Sequence, residues 1–220
     1  MNTPVRQASP GDVPAATALL VDALQQPVAQ WLVPDPNERP DVLHRLLAVE
    51  VDHAVETGHV YVTLDWSAIA VWRRHDLNPD RWALGDYHLT TFAGQSANRL
   101  AQLNAALRRY GSSAPHHWLS WLAVHPDYGY HVASELLAQH HRVVDAVGHP
   151  AYGVVTTEAA RDLLGEHGYH AGLPLELPDG LSLWPVTRAG RPIRSSSSGS
   201  AFLQARRQHQ AVGRTRAGEV

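Results

Sequence analysis

The spacing of apolar residues along the chain predicts five amphipathic helices. Leucine, valine and alanine recur at intervals of three or four residues in each of them, which places these side chains on one helix face. Two of the segments end at a glycine, Gly58 or Gly168, as is common at helix C-termini. The predicted helices span residues 9–24, 39–57, 97–110, 133–147 and 158–167.

Runs of β-branched and aromatic residues between these helices predict six strands. Two of the runs are separated only by Asp65-Trp-Ser, the composition of a hairpin turn. Another run, Trp118–Val124, is apolar almost throughout, and we expect it to be buried on both faces of a sheet. The order βααββαβαβαβ indicates an α/β (α+β) fold. The predicted strands span residues 5–8, 59–64, 68–72, 118–124, 151–157 and 181–186.

Composition limits the chemistry that the chain can perform. Its 220 residues are 44% hydrophobic, which is enough for one domain with one core. The absence of cysteine excludes disulfides, thiolate catalysis and cysteine-based zinc sites. All 18 cationic side chains are arginine, so Schiff-base chemistry on a lysine is excluded as well.

Charge divides the chain into an acidic body and a basic tail. Residues 1–187 hold 11 Arg against 20 acidic residues, a net charge of −9, whereas residues 188–220 hold 7 Arg against Glu219, a net charge of +6. We therefore expect a domain over residues 1–190 and a polar, disordered tail over residues 191–220. The absence of a long apolar run and of a leader pattern predicts a soluble, cytoplasmic protein.

The stretch Val124–Leu137 predicts a strand that ends at a proline, a turn through Gly129, and a helix. The first amides of a helix have no partners within the helix and can bind an anion. Phosphate-binding turns normally use several glycines, whereas Tyr130 and His131 stand in their place here. The composition of this turn therefore bears on which anion the protein binds.

Five segments carry a resemblance to a known family: Val5–Pro14, Gly58–Thr63, Ala68–Trp72, Leu122–Asp127 and Leu163–Tyr169. By their order and spacing, residues 4–187 resemble the GNAT superfamily of acyltransferases, and within it the branch of puromycin N-acetyltransferase. The resemblance implies a mixed central sheet flanked by helices. It also implies that two central strands splay apart after the Leu-Ala-Val segment, and that the pantetheine arm of an acyl-CoA lies in the gap.

The resemblance also implies where an acyl donor would bind. Its arm would pair with the backbone of the strand before the turn, and its phosphate would lie near the first amides of the next helix, where His131 could donate a hydrogen bond. The expected donor is acetyl-CoA or another acyl-phosphopantetheine, bound as a co-substrate. The residues in these positions are Leu122, Ala123, Val124, Gly129, Tyr130, His131, Val132 and Ala133.

Four features that are usual in that family are absent from this chain. The turn is one residue shorter, so His131 occupies the position of the central glycine, and the Gln or Arg of the family's turn has no clear counterpart. Ala160 aligns with the Asn of the family's last helix, and Leu164 aligns with the Tyr that serves there as general acid to the leaving thiolate. Ser120 aligns with the carboxylate of the central strand that commonly serves as the base.

Candidate catalytic residues follow from their predicted positions. Ser120 and His117 belong to the central strand and could assist removal of a proton from an acceptor amine, while His88 could lie on a loop over the cleft. No His-Glu-x-x-His pattern occurs, and we expect no metal site. Trp118 and Trp121 are expected on opposite faces of the central strand, because side chains alternate along a strand.

Three functions stay open on the sequence alone. The first is acyl transfer from a phosphopantetheine thioester to the amine of a small molecule, in antibiotic modification or specialised metabolism. The second is amide formation from an aminoacyl-tRNA. The third is a binding module that keeps the cleft without turnover, since a fold does not establish an activity. The expected partners are a small-molecule amine and, where the donor is not CoA, an acyl carrier protein or a tRNA; no membrane is involved, and a homodimer stays open.

Overall fold

The computed structural model describes residues 4–24, 27–75, 96–109, 114–129 and 131–191. Within these ranges the chain forms six α-helices and eight strands. The helices are α1 (Val13–Ala23), α2 (Pro27–Leu32), α3 (Arg39–Glu56), α4 (Ala97–Arg108), α5 (His131–Val147) and α6 (Glu158–Glu166). The strands are β1 (Val5–Gln7), β2 (Val60–Thr63), β3 (Ala68–His75), β4 (His116–Val124), β5 (Ala151–Val155), β6 (His170–Ala171), β7 (Leu175–Glu176) and β8 (Ser182–Arg188).

All eight strands join one mixed sheet. The mixed sheet is predicted, whereas two of its strands, β6 and β7, are not. The strand order is β1-β2-β3-β4-β5-β8-β6, and β7 pairs with β8. Neighbouring strands are antiparallel except β4 and β5, which run parallel and are connected through α5. A parallel pair needs a crossover connection of this kind, because its strands begin at the same edge of the sheet.

Helices cover both faces of the sheet and form two core layers. The front layer packs α1, α2, α3 and α4 against one face, where Ile69 and Val71 of β3 lie. The back layer packs α5 and α6 against the other face, where Ala70 and Trp72 lie. Side chains of adjacent β3 residues thus pack into opposite layers, as the alternation of side chains along a strand requires.

Local signals account for the helix ends on either side of the sheet. Gly58 and Gly168 follow α3 and α6 with φ angles of +76° and +83°, values that favour glycine. Thr157 is the N-cap residue of α6, and its hydroxyl oxygen accepts a hydrogen bond from the Ala160 amide at 3.3 Å. The two predicted glycine endings are therefore confirmed.

The structure contains short helices and strands that the sequence pattern does not predict. The six-residue helix α2 begins at Pro27 and is too brief for a helical period to show. Strands β6 and β7 have two residues each, so no alternation can be seen in them. Strand β4 begins at His116, two residues before the predicted start, because its first two residues are polar in type although both are buried.

Two predicted site residues, His88 and Tyr130, and residues 192–220 of the predicted tail lie outside the described residues. Among the residues that are described, no helix combines the length and the apolar character that crossing a membrane requires.

Candidate active site

Strands β4 and β5 part in the middle of the sheet. Their parallel pairing ends at Leu119 and Gly153. Beyond these residues, β4 continues to Val124 beside β3 alone, and β5 continues to Val155 beside β8 alone. The predicted splay of the two central strands is confirmed, and it leaves a slot bordered by backbone groups without a neighbouring strand.

A β-bulge lies where the slot begins. Across the β3–β4 pair, Val71 faces Trp121 and Trp72 faces Leu119. Ser120 is therefore an extra residue that has no pairing partner on β3. The extra residue of a bulge is left out of the ladder, and the strand bends there. The backbone of Ser120 is therefore outside the β3 ladder at the point where pairing with β5 has also ended.

The bulge places Trp118 and Trp121 on the same face of β4. Trp118 faces Arg73 and Trp121 faces Val71, and residues two apart on β3 point to the same side of the sheet. The predicted opposite placement is wrong, because the extra residue Ser120 shifts the alternation by one position. Both indoles can therefore contribute to one wall.

A cavity of about 400 Å³ extends from the front layer to the back layer through the slot. Ser120 and Leu122 of β4 and Val154 of β5 line it at the slot. Its front half is bounded by Trp118, Trp121 and a set of leucines from α3, from α4 and from the residue that follows α1: Leu24, Leu43, Leu46, Leu47, Leu100, Leu103 and Leu107. Its back half is bounded by Val124, Pro126, Thr156, Ala160, Leu163 and Leu164.

One ion pair lies in the wall of the front half. Glu50 of α3 binds Arg73 of β3, and their side chains are only 14% and 21% exposed. Among the described residues that line the cavity, Glu50 is the one carboxylate, and Arg108 is the one cation besides Arg73. A carboxylate beside the bulge can accept a proton or hold an ammonium group.

Sequence reasoning missed Glu50, although a signal was present. Glu50 follows Leu46 and Leu47 by four and three residues, so it continues the buried stripe of α3. A charged residue at such a position is unusual, because charged side chains are seldom buried without a partner. The partner, Arg73, is distant in sequence and becomes adjacent only through packing of α3 on β3.

The predicted catalytic residues Ser120 and His117 lie in different places. Ser120 is half-buried and lines the slot. His117 points to the back layer, where its Nδ1 lies 3.0 Å from Nε2 of His140 on α5, and it does not line the cavity. Burial lowers the pKa of His117, so the ring is neutral at pH 7. Its position does not support the predicted role in proton removal.

The predicted donor-binding residues of β4 lie along the slot. Leu122 and Val124 line the cavity with their side chains, whereas Ala123 packs into the front layer. Alternation explains this difference, since neighbouring residues point to opposite faces. All three nevertheless keep one backbone edge free of a strand partner on the side of β5.

The predicted donor-binding residues at the start of α5 divide into exposed and buried groups. Gly129 and His131 are exposed, whereas Val132 and Ala133 are buried in the back layer. A Cβ atom on Gly129 would lie 2.9 Å from Nδ1 of His131, so the imidazole lies directly over this glycine. The Val132 amide donates to the Gly129 carbonyl at 3.2 Å. Among the described residues at the start of α5, His131 is therefore the exposed side chain that can donate a hydrogen bond to an anion.

Two positions of α6 that align with polar residues of the family carry apolar side chains here. Ala160 and Leu164 of α6 both line the back half of the cavity. Within the described ranges, no group of three or more His, Asp or Glu side chains is placed to hold a metal ion. Among the described residues, the candidate chemistry of the site is limited to backbone groups and to the polar side chains that line the cavity, which are Glu50, Arg73, Asn104, Arg108, Ser120 and Thr156.

Comparison with known proteins gives matches in structure only. No family model and no curated protein matches the chain. A histone acetyltransferase HPA2 and related acetyltransferase from Corynebacterium glutamicum is similar over 88% of this chain and 99% of its own, with a TM-score of 0.63 and 20% identity. Drosophila melanogaster polyamine N-acetyltransferase, which forms N-acetylagmatine, is similar over 84% and 99%, with a TM-score of 0.61 and 17% identity.

A third solved structure contains a cofactor. It is the PaiA N-acetyltransferase from Thermoplasma acidophilum in complex with coenzyme A, and it is similar over 86% of this chain and 99% of its own. Its TM-score is 0.53 at 9% identity. At such identities the likeness establishes a shared fold, and the function has to be argued from the site.

Proposed function

Since the chain has the GNAT acyltransferase fold, we propose that it transfers an acyl group from a phosphopantetheine thioester to the amine of a small molecule. The observation that carries this proposal is the cavity that crosses the sheet between β4 and β5. It provides one place where a long, thin donor arm and a separate acceptor meet at a backbone bulge.

The donor arm occupies the slot and the back half of the cavity. Its amides pair with the free backbone edge of Leu122–Val124, and its phosphate lies near Gly129 and His131. Acetyl-CoA is the simplest donor, in keeping with the coenzyme A that the T. acidophilum enzyme binds. An acyl carrier protein or an aminoacyl-tRNA is the alternative, because the start of α5 offers a histidine where repeated glycines would admit a diphosphate.

The acceptor amine occupies the front half of the cavity. Its nitrogen attacks the thioester carbon next to Ser120, while backbone N–H groups at the bulge stabilise the oxyanion. The C–N bond forms and the C–S bond breaks, and the thiol leaves. Glu50 takes the proton that the amine loses, and that proton finally replaces the acyl group on sulfur. Ser120 can relay it, because its hydroxyl both donates and accepts.

The leaving group does not require a tyrosine on α6. Thiols have a pKa of about 8.5, so a thiolate leaves readily near neutral pH without prior protonation. Leu164 and Ala160 instead give the back half an apolar wall, which excludes water from the thioester. The absence of the usual acid is therefore compatible with turnover.

The sequence resemblance to the puromycin N-acetyltransferase branch supports an acceptor from specialised metabolism, such as the amine of an antibiotic. A binding module without turnover is the alternative to an enzyme. It would bind the donor in the same slot but release no thiol.

Thiol release in the presence of acetyl-CoA and a panel of amines tests the proposal, with the amide product identified by mass. Ala160→Trp should fill the back half and reduce release at least tenfold, whereas Ala138→Trp, on the exposed face of α5, should not. Equal rates in both variants would show that the donor does not use the slot. Donor binding without release would favour the binding module.

A further inference from the structure

We propose that the acceptor is a primary amine that carries a single positive charge on an uncharged, apolar body. A polyamine, or an amine that also bears a guanidinium group, is excluded by the same reasoning. This inference rests on the proposed acyl transfer and goes beyond it, because it concerns the chemical class of the acceptor.

The first observation is the charge of the front half. Glu50 is the one carboxylate among the described residues that line the cavity, and Arg73 already binds it. A single carboxylate can hold or deprotonate a single ammonium group. A second cation on the same molecule would find no second carboxylate among the described residues that line the cavity.

The second observation is the composition of the remaining wall. Leucines of α3 and α4, with Leu24 after α1, face two indoles across the front half, where Asn104 and Arg108 are the other polar side chains among the described residues. Most groups away from the amine therefore contact hydrocarbon and aromatic rings. Transfer of an unpaired ammonium into such surroundings is strongly unfavourable. An alkyl or aromatic body is favoured there for the same reason.

The third observation is that the outer wall of the front half is tied together. Arg99 at the start of α4 donates to the Trp31 carbonyl of α2 and binds Asp179, at 2.7 Å, in the turn before β8. The Trp31 indole N–H donates to the Pro178 carbonyl at 2.6 Å. These bonds fix α2 and α4 around the cavity, so a short acceptor body remains among the leucines.

A shared fold does not imply a shared acceptor. The Drosophila enzyme forms N-acetylagmatine, and agmatine carries a guanidinium group at the end opposite its amine. In this chain the same end of that molecule would lie against leucine side chains and arginines. We therefore expect agmatine to be among the poorest acceptors of the panel.

Hexylamine and 1,6-diaminohexane form a matched pair that isolates the second charge. The wild-type protein should show a kcat/KM at least 100-fold higher for hexylamine, and agmatine should behave like the diamine. Leu103→Glu places a carboxylate in the front half and should narrow the difference at least tenfold. Leu64→Glu makes the same change at an exposed leucine and should leave the difference unchanged.

The outcomes separate this inference from the proposed function. Comparable kcat/KM values for the two amines in the wild-type protein would overturn the inference and leave acyl transfer intact. If no amine yields thiol release, calorimetry with the same pair decides. Preferential binding of hexylamine would support the inference and contradict the enzyme, whereas equal or preferential binding of the diamine, or no binding of either, would overturn the inference as well.

Discussion

In the proposed mechanism, Glu50 takes the role of base that the family resemblance assigns to the position of Ser120. The strand position where the family commonly has a carboxylate is Ser120, and the carboxylate in this cavity comes from α3. The Arg73 guanidinium holds Glu50 in place across from β3. A charge-assisted pair of this kind fixes the carboxylate, so that its orientation does not have to be found during each reaction.

Glu50→Gln should lower kcat/KM about 100-fold, because general-base catalysis contributes at least that factor. Glu56→Gln, on an exposed position of the same helix, is the control and should retain full activity. Both variants should give the circular dichroism of the wild-type protein. A Glu50→Gln variant with normal kcat/KM would remove Glu50 from the mechanism.

At this scale, the sequence predicted where Leu122 and Val124 of β4 lie, but it did not predict Glu50 or the position of His117. Leu122 and Val124 were predicted because their place depends on one strand and its alternation. Glu50 was not predicted, because its place in the cavity wall depends on the ion pair with Arg73 and on the packing of α3 against β3. His117 was placed near the amine, whereas the face to which β4 directs it is set by its pairing with β3 and by contact with His140 of α5.

The element on which the site depends is the bulged half of β4. Hydrophobic patterns predicted this strand, its turn and the helix after it, because each has its own period. No local pattern marks the bulge, since Ser120 is an ordinary strand residue and its irregularity arises from the register with β3. The prediction for Trp118 and Trp121 failed for that reason alone.

Deletion of Ser120 should lower activity at least tenfold while the fold persists. Removing the extra residue leaves Trp121 opposite Val71 and Leu119 opposite Trp72, so every remaining side chain keeps its face. We expect the free energy of unfolding to change by about 1 kcal/mol and thiol release to fall at least tenfold, since the bulge amides are lost. Urea unfolding and the thiol assay measure the two effects.

Deletion of Leu122 is the matched control. It would turn Ala123 and Val124 to the wrong faces of the sheet and should therefore destabilise the protein by several kcal/mol. Equal loss of stability in both deletions would show that Ser120 is part of the regular ladder.

The molecule as a whole should be sensitive to mild acid, because its back layer contains three buried imidazoles. Burial lowers the pKa of His117 and of His140, and it lowers the pKa of His141 to about 3. His140 also stacks on Trp72 with ring centroids 4.2 Å apart, so a charged ring would have to leave an aromatic contact. The folded protein therefore keeps all three rings neutral.

The free energy of unfolding should fall as the pH drops below about 6.5. The unfolded chain then binds protons that the folded chain does not, and each histidine contributes a slope approaching about 1.4 kcal/mol per pH unit. The loss for each ring ends below its folded pKa. The Arg188 guanidinium lowers the pKa of the Asp145 carboxyl, so further stability is lost in stronger acid as that group is protonated.

His140→Leu should reduce this pH dependence by at most about a third, because His117 and His141 remain and burial lowers the pKa of His116 and of His167 as well. Urea unfolding of both proteins at pH 7 and pH 5 measures the slope. Replacement of the exposed His44 in the same way should leave it unchanged. A wild-type stability that is equal at the two pH values would contradict the account.

A passage that crosses the sheet also determines the order of events. In the proposed reaction, donor and acceptor approach the bulge from opposite sides of this cavity, so neither has to depart before the other arrives, and no side chain has to carry the acyl group between them. Initial-rate lines for the two substrates should consequently intersect and not run parallel. Each product should compete with the substrate that arrives from its own side.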